Sequence, residues 1–171
     1  MLKKNRGFTI VEVIVTLALL AILVSIAAPS FTHMIHAQQI RSASIDLALA
    51  FTTSRHEAIM RKKPVIIANQ DDQWASGWQI FVDQNSNGIF DAGDLRLRTG
   101  EAAARGVRIT GNAPVKNYVR YTPLGRAKML NGAFQAGTIT LCHEDGAQPI
   151  RRLVLSSTGR LRTVVGTAGS C

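Results

Sequence analysis

An apolar run from Phe8 to Ala28 is the feature that most limits what this chain of 171 residues can fold into. As a helix, the run would span roughly 30 Å, which is the thickness of the hydrocarbon core of a bilayer. The basic residues Lys3, Lys4 and Arg6 precede it, and by the positive-inside rule they place the N-terminus in the cytoplasm and the rest of the chain on the other side. The sequence therefore predicts one membrane-spanning helix.

Glu12 lies near the cytoplasmic end of this run, where a charge is unusual. Its insertion penalty should be smaller than the roughly 2.5 to 3.5 kcal/mol of an Asp, Lys or Arg at the centre of a membrane helix. A secretory signal would have a shorter apolar region before a small-residue cleavage site, which Ala27 and Ala28 could imitate. A charge inside a segment of this kind costs free energy, so something must either neutralise Glu12 or use it; the alternative is a plain signal anchor that contains an accidental acid.

Beyond Pro29, small and apolar residues recur every three to four positions, which predicts that the helix continues as an amphipathic segment. These residues are Ile40, Ala43, Leu47, Phe51, Ser54 and Ala58. Pro64 disfavours helical geometry in the residue before it, so the helix should end near Lys63 after roughly 55 residues.

After Pro64 the helical period is replaced by short β-like runs between Gly, Asn and Pro breaks. We predict strands near residues 65 to 69, 78 to 82, 95 to 98, 106 to 110, 118 to 122, 137 to 142, 150 to 155 and 160 to 165. The predicted fold class is α+β, with a long N-terminal helix packed on one antiparallel β-rich domain.

The first residues resemble the class III signal of type IV pilins and of the pseudopilins of type II secretion. In that signal a short basic leader ends in Gly and is followed by Phe, with Glu at the fifth mature position; here Lys3-Lys4-Asn5-Arg6-Gly7 precedes Phe8-Thr9-Ile10-Val11-Glu12. Later stretches, from Gly77 to Asp83 and from Ser157 to Arg160, resemble the GspH/FimT family of minor pilins and pseudopilins. The resemblance implies a pilin-like fold and a structural subunit, with no enzymatic activity and no cofactor.

The same resemblance implies how the chain is divided and processed. Residues 1–7 would be a leader peptide, 8–29 the transmembrane half of the helix, and 30–171 a periplasmic domain. A prepilin peptidase would cleave after Gly7 and methylate the amine of Phe8, and Glu12 would pair with the N-terminal amine of a neighbouring subunit. The implied partners are other pilins or pseudopilins, bound through the N-terminal helix, the peptidase, the inner membrane, and DNA.

Charge is distributed unevenly along the chain. Residues 95–171 carry twelve Lys and Arg against three Asp and Glu, whereas residues 36–94 carry five against seven. Such asymmetry favours a polyanionic partner for the C-terminal half. The alternative is a solvated basic face without a partner.

The stretch Gly159-Arg160-Leu161-Arg162 is the candidate DNA-binding motif. On a strand, the two arginines would project from one face about 7 Å apart while the leucine points to the core, a spacing that suits successive phosphates. Arg151 and Arg152, on the preceding predicted strand, would extend the surface, as would Arg126 and Lys128. The stretch resembles the GRxR signature of FimT-type minor pilins implicated in DNA capture during natural transformation. The alternatives are an edge strand that discourages pairing and a GspH-like pseudopilin without a DNA-binding role.

The two cysteines, Cys142 and Cys171, predict a disulfide if the domain lies in an oxidising space. Closing a loop of about 30 residues would contribute roughly 3 to 4 kcal/mol on the chain-entropy model. In the cytosol they would instead remain two unrelated thiols.

The stretch from Asp83 to Asp94 has the oxygen spacing of an EF-hand calcium loop, with Gly at the sixth position. Its last acid is Asp rather than Glu and a predicted strand precedes it, so a loop closed by its own hydrogen bonds is favoured over a calcium site.

The histidines offer no catalytic or metal-binding pattern in the sequence. His33 and His36 share a helical face, but no carboxylate or cysteine accompanies them at ligand spacing, so we interpret them as a surface pair. His56 and His143 stand apart, and the stretch after His143 is predicted to be a polar turn. No metal ligand and no catalytic residue is predicted.

Overall fold

The computed structural model describes residues 9–171. Gly7 and Phe8, the predicted processing residues, lie outside the described residues, as does the rest of the predicted leader. One helix, α1, extends over Ile10–Arg61 and passes through Pro29 without interruption. It ends where Lys62 adopts a left-handed backbone conformation with φ of 54°, two residues before Pro64. The prediction of a single helix ending near residue 63 is confirmed within two residues.

Two compact units divide the chain between Ile35 and His36. In the first, α1 is apolar and long enough to cross a membrane, and its side chains are exposed. The second unit, His36–Cys171, contains the rest of α1 and all the strands. The division into a membrane segment 8–29 and a periplasmic domain 30–171 stays a prediction.

The strands of the second unit form two antiparallel four-stranded sheets, with orders β3-β2-β1-β5 and β4-β6-β7-β8. The strands are β1 Val65–Gln70, β2 Gln73–Val82, β3 Leu95–Gly100, β4 Val107–Gly111, β5 Tyr118–Tyr121, β6 Gly137–His143, β7 Pro149–Leu155 and β8 Leu161–Ala168. All eight predicted strands are present. A short 3-10 helix at Ala113–Val115 was not predicted.

One hydrophobic core joins the inner face of α1 to both sheets. The helix contributes Ile40, Ser44, Leu47, Ala50, Phe51, Ser54 and Ala58 as buried residues. Phe51 packs against Trp74 of β2, with ring centroids 5.7 Å apart. The predicted apolar stripe is therefore the packed face of α1, except that Ala43 lies at its half-buried margin. β3 and β8 are edge strands, so their outer sides are open to other molecules.

Candidate functional site

Glu12 lies in the first turn of α1 with its side chain exposed. Its backbone N–H donates to Oγ1 of Thr9 at 3.3 Å, so Thr9 acts as the N-cap of the helix. Thr9-Ile10-Val11-Glu12 thus has the spacing of a capping box, in which the acid three residues after the cap is favoured at a helix start. The spacing of this box was readable from the sequence and was missed.

The predicted basic motif lies at the start of the edge strand β8. Arg160 and Arg162 are exposed, whereas Leu161 is half-buried and packs against the core, as predicted. Val154 of β7 pairs with Arg162, and Arg152 pairs with Val164, so the regular register puts Arg152 and Arg162 on the same outer face. We call Arg152, Arg160 and Arg162 the arginine face.

Arg151 does not belong to the arginine face. It pairs with Leu141 of β6 and therefore projects from the side of the sheet that carries the buried Leu153. Adjacent residues of a strand point to opposite faces, so of the two neighbouring arginines only Arg152 joins Arg160 and Arg162. The structure thus separates a pair that sequence reasoning had treated as one patch.

A surface depression of about 370 Å³ lies between Arg160 and Arg162. Its lining consists of Val154, Ser156, Thr158, Arg160 and Arg162. The hydroxyls of Ser156 and Thr158 are 2.7 Å apart and share a hydrogen bond. Ser156 also donates to the carbonyl oxygen of Arg160 at 3.2 Å, so the hydroxyl protons have partners and the two guanidinium groups are the donors that the depression offers to an anion.

Gly159 is buried and positions the motif rather than touching a ligand. It adopts φ of +80°, and a Cβ at this position would overlap the carbonyl oxygen of Gly125. The same carbonyl accepts a hydrogen bond from Nε of Arg55 on α1 at 2.9 Å. Only glycine fits this turn, because any side chain would push the β7–β8 turn away from the loop below it.

A second Arg-Leu-Arg tripeptide, Arg96 to Arg98 on β3, was not singled out by sequence reasoning. The guanidinium carbon of Arg96 lies 4.3 Å from the ring centroid of Phe90, and that of Arg98 lies 5.8 Å from the ring centroid of Trp78. Both arginines of β3 thus already have an aromatic partner.

Cys142 and Cys171 form a disulfide, with their Cα atoms 5.6 Å apart. The bond links the last residue of the chain to the buried end of β6. The predicted pairing is present, and it holds the segment after β8 against the sheet.

The loop from Asp83 to Asp94 is closed by its own hydrogen bonds. Asp83 is buried, and its two carboxylate oxygens accept the backbone N–H groups of Asn87 and Gly88. The Gly93 N–H, followed by the side chains of Asn85 and Asn87, holds the pKa of the Asp91 carboxyl below its ordinary value.

Asp94 completes this pattern by accepting hydrogen bonds from the backbone N–H groups of Gln84 and Asp91. All three loop carboxylates therefore have partners within the loop, which is the arrangement that the sequence favoured over a calcium site.

The interpretation of the histidines was wrong in one respect. His143 does not stand apart: its ring stacks on that of His36 with centroids 3.8 Å apart, and both contact Asp145. This contact between the histidines and Asp145 could not be predicted from sequence spacing, because more than a hundred positions separate His36 from the turn after β6. The fold of the antiparallel sheet brings them together. That turn, predicted as polar, contains Asp145.

The comparisons with known proteins agree with this architecture. Residues 43–159 match the family model of the type II transport protein GspH, and residues 2–28 match the prokaryotic N-terminal methylation motif. The pilin-like protein PilA1 of Thermus thermophilus is 32% identical over 166 residues, which cover 92% of this chain and 97% of that protein.

Two solved structures share the fold. The type IV minor pilin FimU of Pseudomonas aeruginosa superposes with a TM-score of 0.59 at 21% identity, over 74% of this chain and 89% of that one. The minor pseudopilin EpsH of the type 2 secretion system of Vibrio cholerae gives 0.54 at 12% identity, over 76% and 97%. With a family match across most of the second unit and the methylation motif ahead of it, the chain belongs to the GspH family and is a structural subunit of the minor pilin or pseudopilin class.

Proposed function

We propose that this subunit binds DNA through the arginine face and serves DNA uptake in natural transformation. The observation that carries the proposal is the depression that Arg160 and Arg162 both line. Both side chains are exposed; Arg160 directly precedes β8, and Arg162 is the second residue of that strand. Arg152 lies on the same face of the neighbouring strand and extends the positive surface.

The chemistry of these groups suits a phosphate backbone. A guanidinium donates two parallel hydrogen bonds to one phosphate. Two residues along a strand are separated by about 7 Å, close to the spacing of successive phosphates on one DNA strand. Contacts of this kind hold the backbone without reading base edges, so we expect binding without sequence preference.

The test is a binding titration of a fluorescent duplex with the full chain in a non-ionic detergent, at several salt concentrations. Each phosphate contact adds about 0.9 to the slope of log affinity against log salt. The double variant Arg160→Gln/Arg162→Gln should therefore weaken binding and lower the slope by about 1.8.

The double variant Arg96→Gln/Arg98→Gln is the matched control, because it removes the same charge from the same tripeptide on β3, an edge strand of the other sheet. It should retain the salt slope. Equal losses in the two variants would mean that net charge alone attracts DNA, and binding unchanged in both would reject the proposal.

A second candidate function is a type II secretion pseudopilin whose basic surface serves protein contacts. The match to the family model of a type II transport protein favours it. Deletion of the gene distinguishes the two: a secretion defect with unchanged transformation indicates the pseudopilin, and the opposite result indicates DNA uptake.

For assembly, we infer that Glu12 pairs with the methylated N-terminal amine that a prepilin peptidase exposes at Phe8 after cleavage behind Gly7. A carboxylate in an apolar segment is tolerated when an opposite charge lies beside it, and the amine of a neighbouring subunit supplies that charge. Thr9 caps the same helix end, so loss of the cap has to be separated from loss of the charge.

Glu12→Gln makes this separation, because Gln also completes a capping box but carries no charge. If pairing matters, Glu12→Gln and Glu12→Ala should both be processed and inserted but absent from sheared filaments. Normal incorporation of Glu12→Gln with loss of Glu12→Ala would instead assign Glu12 to the cap alone.

We further infer an inner-membrane orientation with the N-terminus in the cytoplasm and the second unit in the periplasm. The basic residues before the apolar run and the Cys142–Cys171 disulfide, which needs an oxidising space, support this orientation. Protease added to spheroplasts should digest the second unit while leaving cytoplasmic markers intact; protection of that unit would reverse the orientation.

A further inference from the structure

Three potential metal ligands meet where α1 enters the second unit. Nδ1 of His36 lies 2.8 Å from Oδ2 of Asp145, and Nδ1 of His143 lies 3.2 Å from Oδ1 of the same carboxylate. The three ligand atoms lie within 4.8 Å of one another. The residues come from three elements, namely α1, the end of β6 and the turn before β7.

His143 is fixed in position by the fold. Its side chain is only 6% exposed, and its Nε2 packs so closely on Gly106 that a Cβ there would overlap it. Packing at Nε2 leaves Nδ1 as the atom that faces the cluster. The backbone N–H of Asp145 lies 3.3 Å from this Nδ1, so an ion that binds the nitrogen has to displace this hydrogen bond.

Asp145 is held in place through both of its carboxylate oxygens. Its Oδ1 accepts the backbone N–H of Ala147 at 3.0 Å, and its Oδ2 is the partner of His36. The turn before β7 therefore presents this carboxylate to both histidines.

We propose that His36, His143 and Asp145 bind a late first-row divalent ion of the Zn²⁺ type. Two imidazoles and one carboxylate form a donor set that suits zinc, nickel, copper or ferrous iron and does not suit calcium. Ligand atoms about 2.0 to 2.2 Å from a tetrahedral zinc ion lie roughly 3.3 to 3.6 Å apart. In this cluster the two histidines lie 2.8 and 3.2 Å from different oxygens of Asp145, and the three ligand atoms are within 4.8 Å of one another, so small shifts bring them to this spacing. Water fills the fourth position.

Binding requires the ring of His36 to tilt and the turn at Asp145 to shift. The two imidazole planes are stacked only 16° from parallel, so their in-plane lone pairs do not point at one ion. The His36 side chain is 25% exposed and lies on the helix surface, so its ring can tilt while the buried His143 stays in place. The Asp145 backbone N–H leaves Nδ1 of His143 at the same time. The ion then ties α1 to the end of β6, one residue beyond the disulfide-bonded Cys142, and to the turn that follows.

The experiment is calorimetric titration of the full chain in detergent, purified without a polyhistidine tag, with Zn²⁺ alone. One equivalent should bind and raise Tm, and Co²⁺ should give the visible absorption of a tetrahedral site. Loss of an outer-shell partner alone weakens metal sites about 10- to 100-fold, so His36→Gln and Asp145→Asn should each weaken Zn²⁺ binding at least about tenfold.

His56→Gln is the matched control, because it removes an exposed histidine farther along the same helix. His36 is partly exposed, so its variant should fold even if a change at the buried His143 does not. Weaker binding in His36→Gln and Asp145→Asn with an unchanged control supports the site. No saturable equivalent, or equal affinity in all variants, overturns it.

Discussion

The chain contains the tripeptide Arg-Leu-Arg twice, and the two copies have different surroundings. One lies at 96–98 on the edge strand β3, and the other at 160–162, where the edge strand β8 begins at Leu161. The pairing of β7 with β8 is regular from Arg151 to Leu155, and Arg160 and Arg162 line one depression. On β3 the register shifts, since Arg96 pairs with Phe81 while Arg98 pairs with the adjacent Ile80.

The register shift separates the two arginines of the β3 copy. Consecutive residues of β2 point to opposite faces, so their partners Arg96 and Arg98 also do. Each guanidinium then lies near an aromatic ring on its own face, Phe90 for Arg96 and Trp78 for Arg98. A basic tripeptide is therefore informative about binding only when the register of its strand is known.

The largest effect is expected from the glycine that precedes the β8 copy. Gly159→Ala combines a strained positive φ with a Cβ that overlaps the Gly125 oxygen and should lower the free energy of unfolding by about 3 kcal/mol. Gly132→Ala, with a similar φ of +86° and no atom within 4 Å, should cost only about 1 to 2 kcal/mol. Chemical denaturation measures both, and equal costs would show that the contact with Gly125 relaxes freely.

Removal of the two arginines of β3 should lower the stability of the protein but leave its DNA binding unchanged. Each exposed cation–π contact contributes about 0.5 to 1 kcal/mol, so Arg96→Ala/Arg98→Ala should lower the unfolding free energy by about 1 to 2 kcal/mol. Arg160→Ala/Arg162→Ala should change it by no more than about 0.5 kcal/mol, because both side chains are exposed. If urea unfolding showed a larger loss of stability for the β8 variant than for the β3 variant, the proposed difference between the two copies would be contradicted.

Arg152 and Arg151 test the division by sheet face within β7. Arg152→Gln should lower the salt slope of DNA binding by up to about 0.9, because this side chain lies on the arginine face. Arg151→Gln should leave the slope unchanged, since it projects from the other face. Equal reductions of the salt slope in the two variants, measured by fluorescence titration, would mean that the face of the sheet on which an arginine lies does not determine DNA binding.

The smallest effect concerns the loop that carries Phe90. Hydrogen bonds from Gly93 and then from Asn85 and Asn87 lower the pKa of Asp91 in the folded state, so its contribution to stability is present above the unfolded pKa. The contribution is lost as pH falls through the lowered folded pKa. The stability difference between wild type and Asp91→Asn should therefore shrink below about pH 4, and a constant difference in unfolding midpoints would contradict it.

The periodicity of the sequence predicted the helix and all eight strands because local patterns determine both. The start of β2 was predicted at residue 78, whereas the strand begins at Gln73. A two-residue turn at Asp71 and Asp72, both at positive φ, leads directly into this strand. Positive φ is uncommon for residues other than glycine, so the sequence did not indicate so tight a turn.

Candidate sites were predictable only where neighbours in sequence stay neighbours in space. Arg160 and Arg162, two residues apart at the start of β8, stay neighbours and line one depression. Arg151 and Arg152 are adjacent in sequence but project from opposite faces of β7. The bulge at Leu97 and the meeting of His36 with His143 depend on strand register and long-range packing, which sequence spacing does not reveal.

The carbonyl oxygen of Gly125 also connects two distant parts of the second unit. Arg55 of α1 bonds to it, and the backbone of Gly159 rests directly against it. One peptide group is thus shared by the helix and by the turn that presents Arg160 and Arg162, so a displacement of Gly125 would shift both contacts at once.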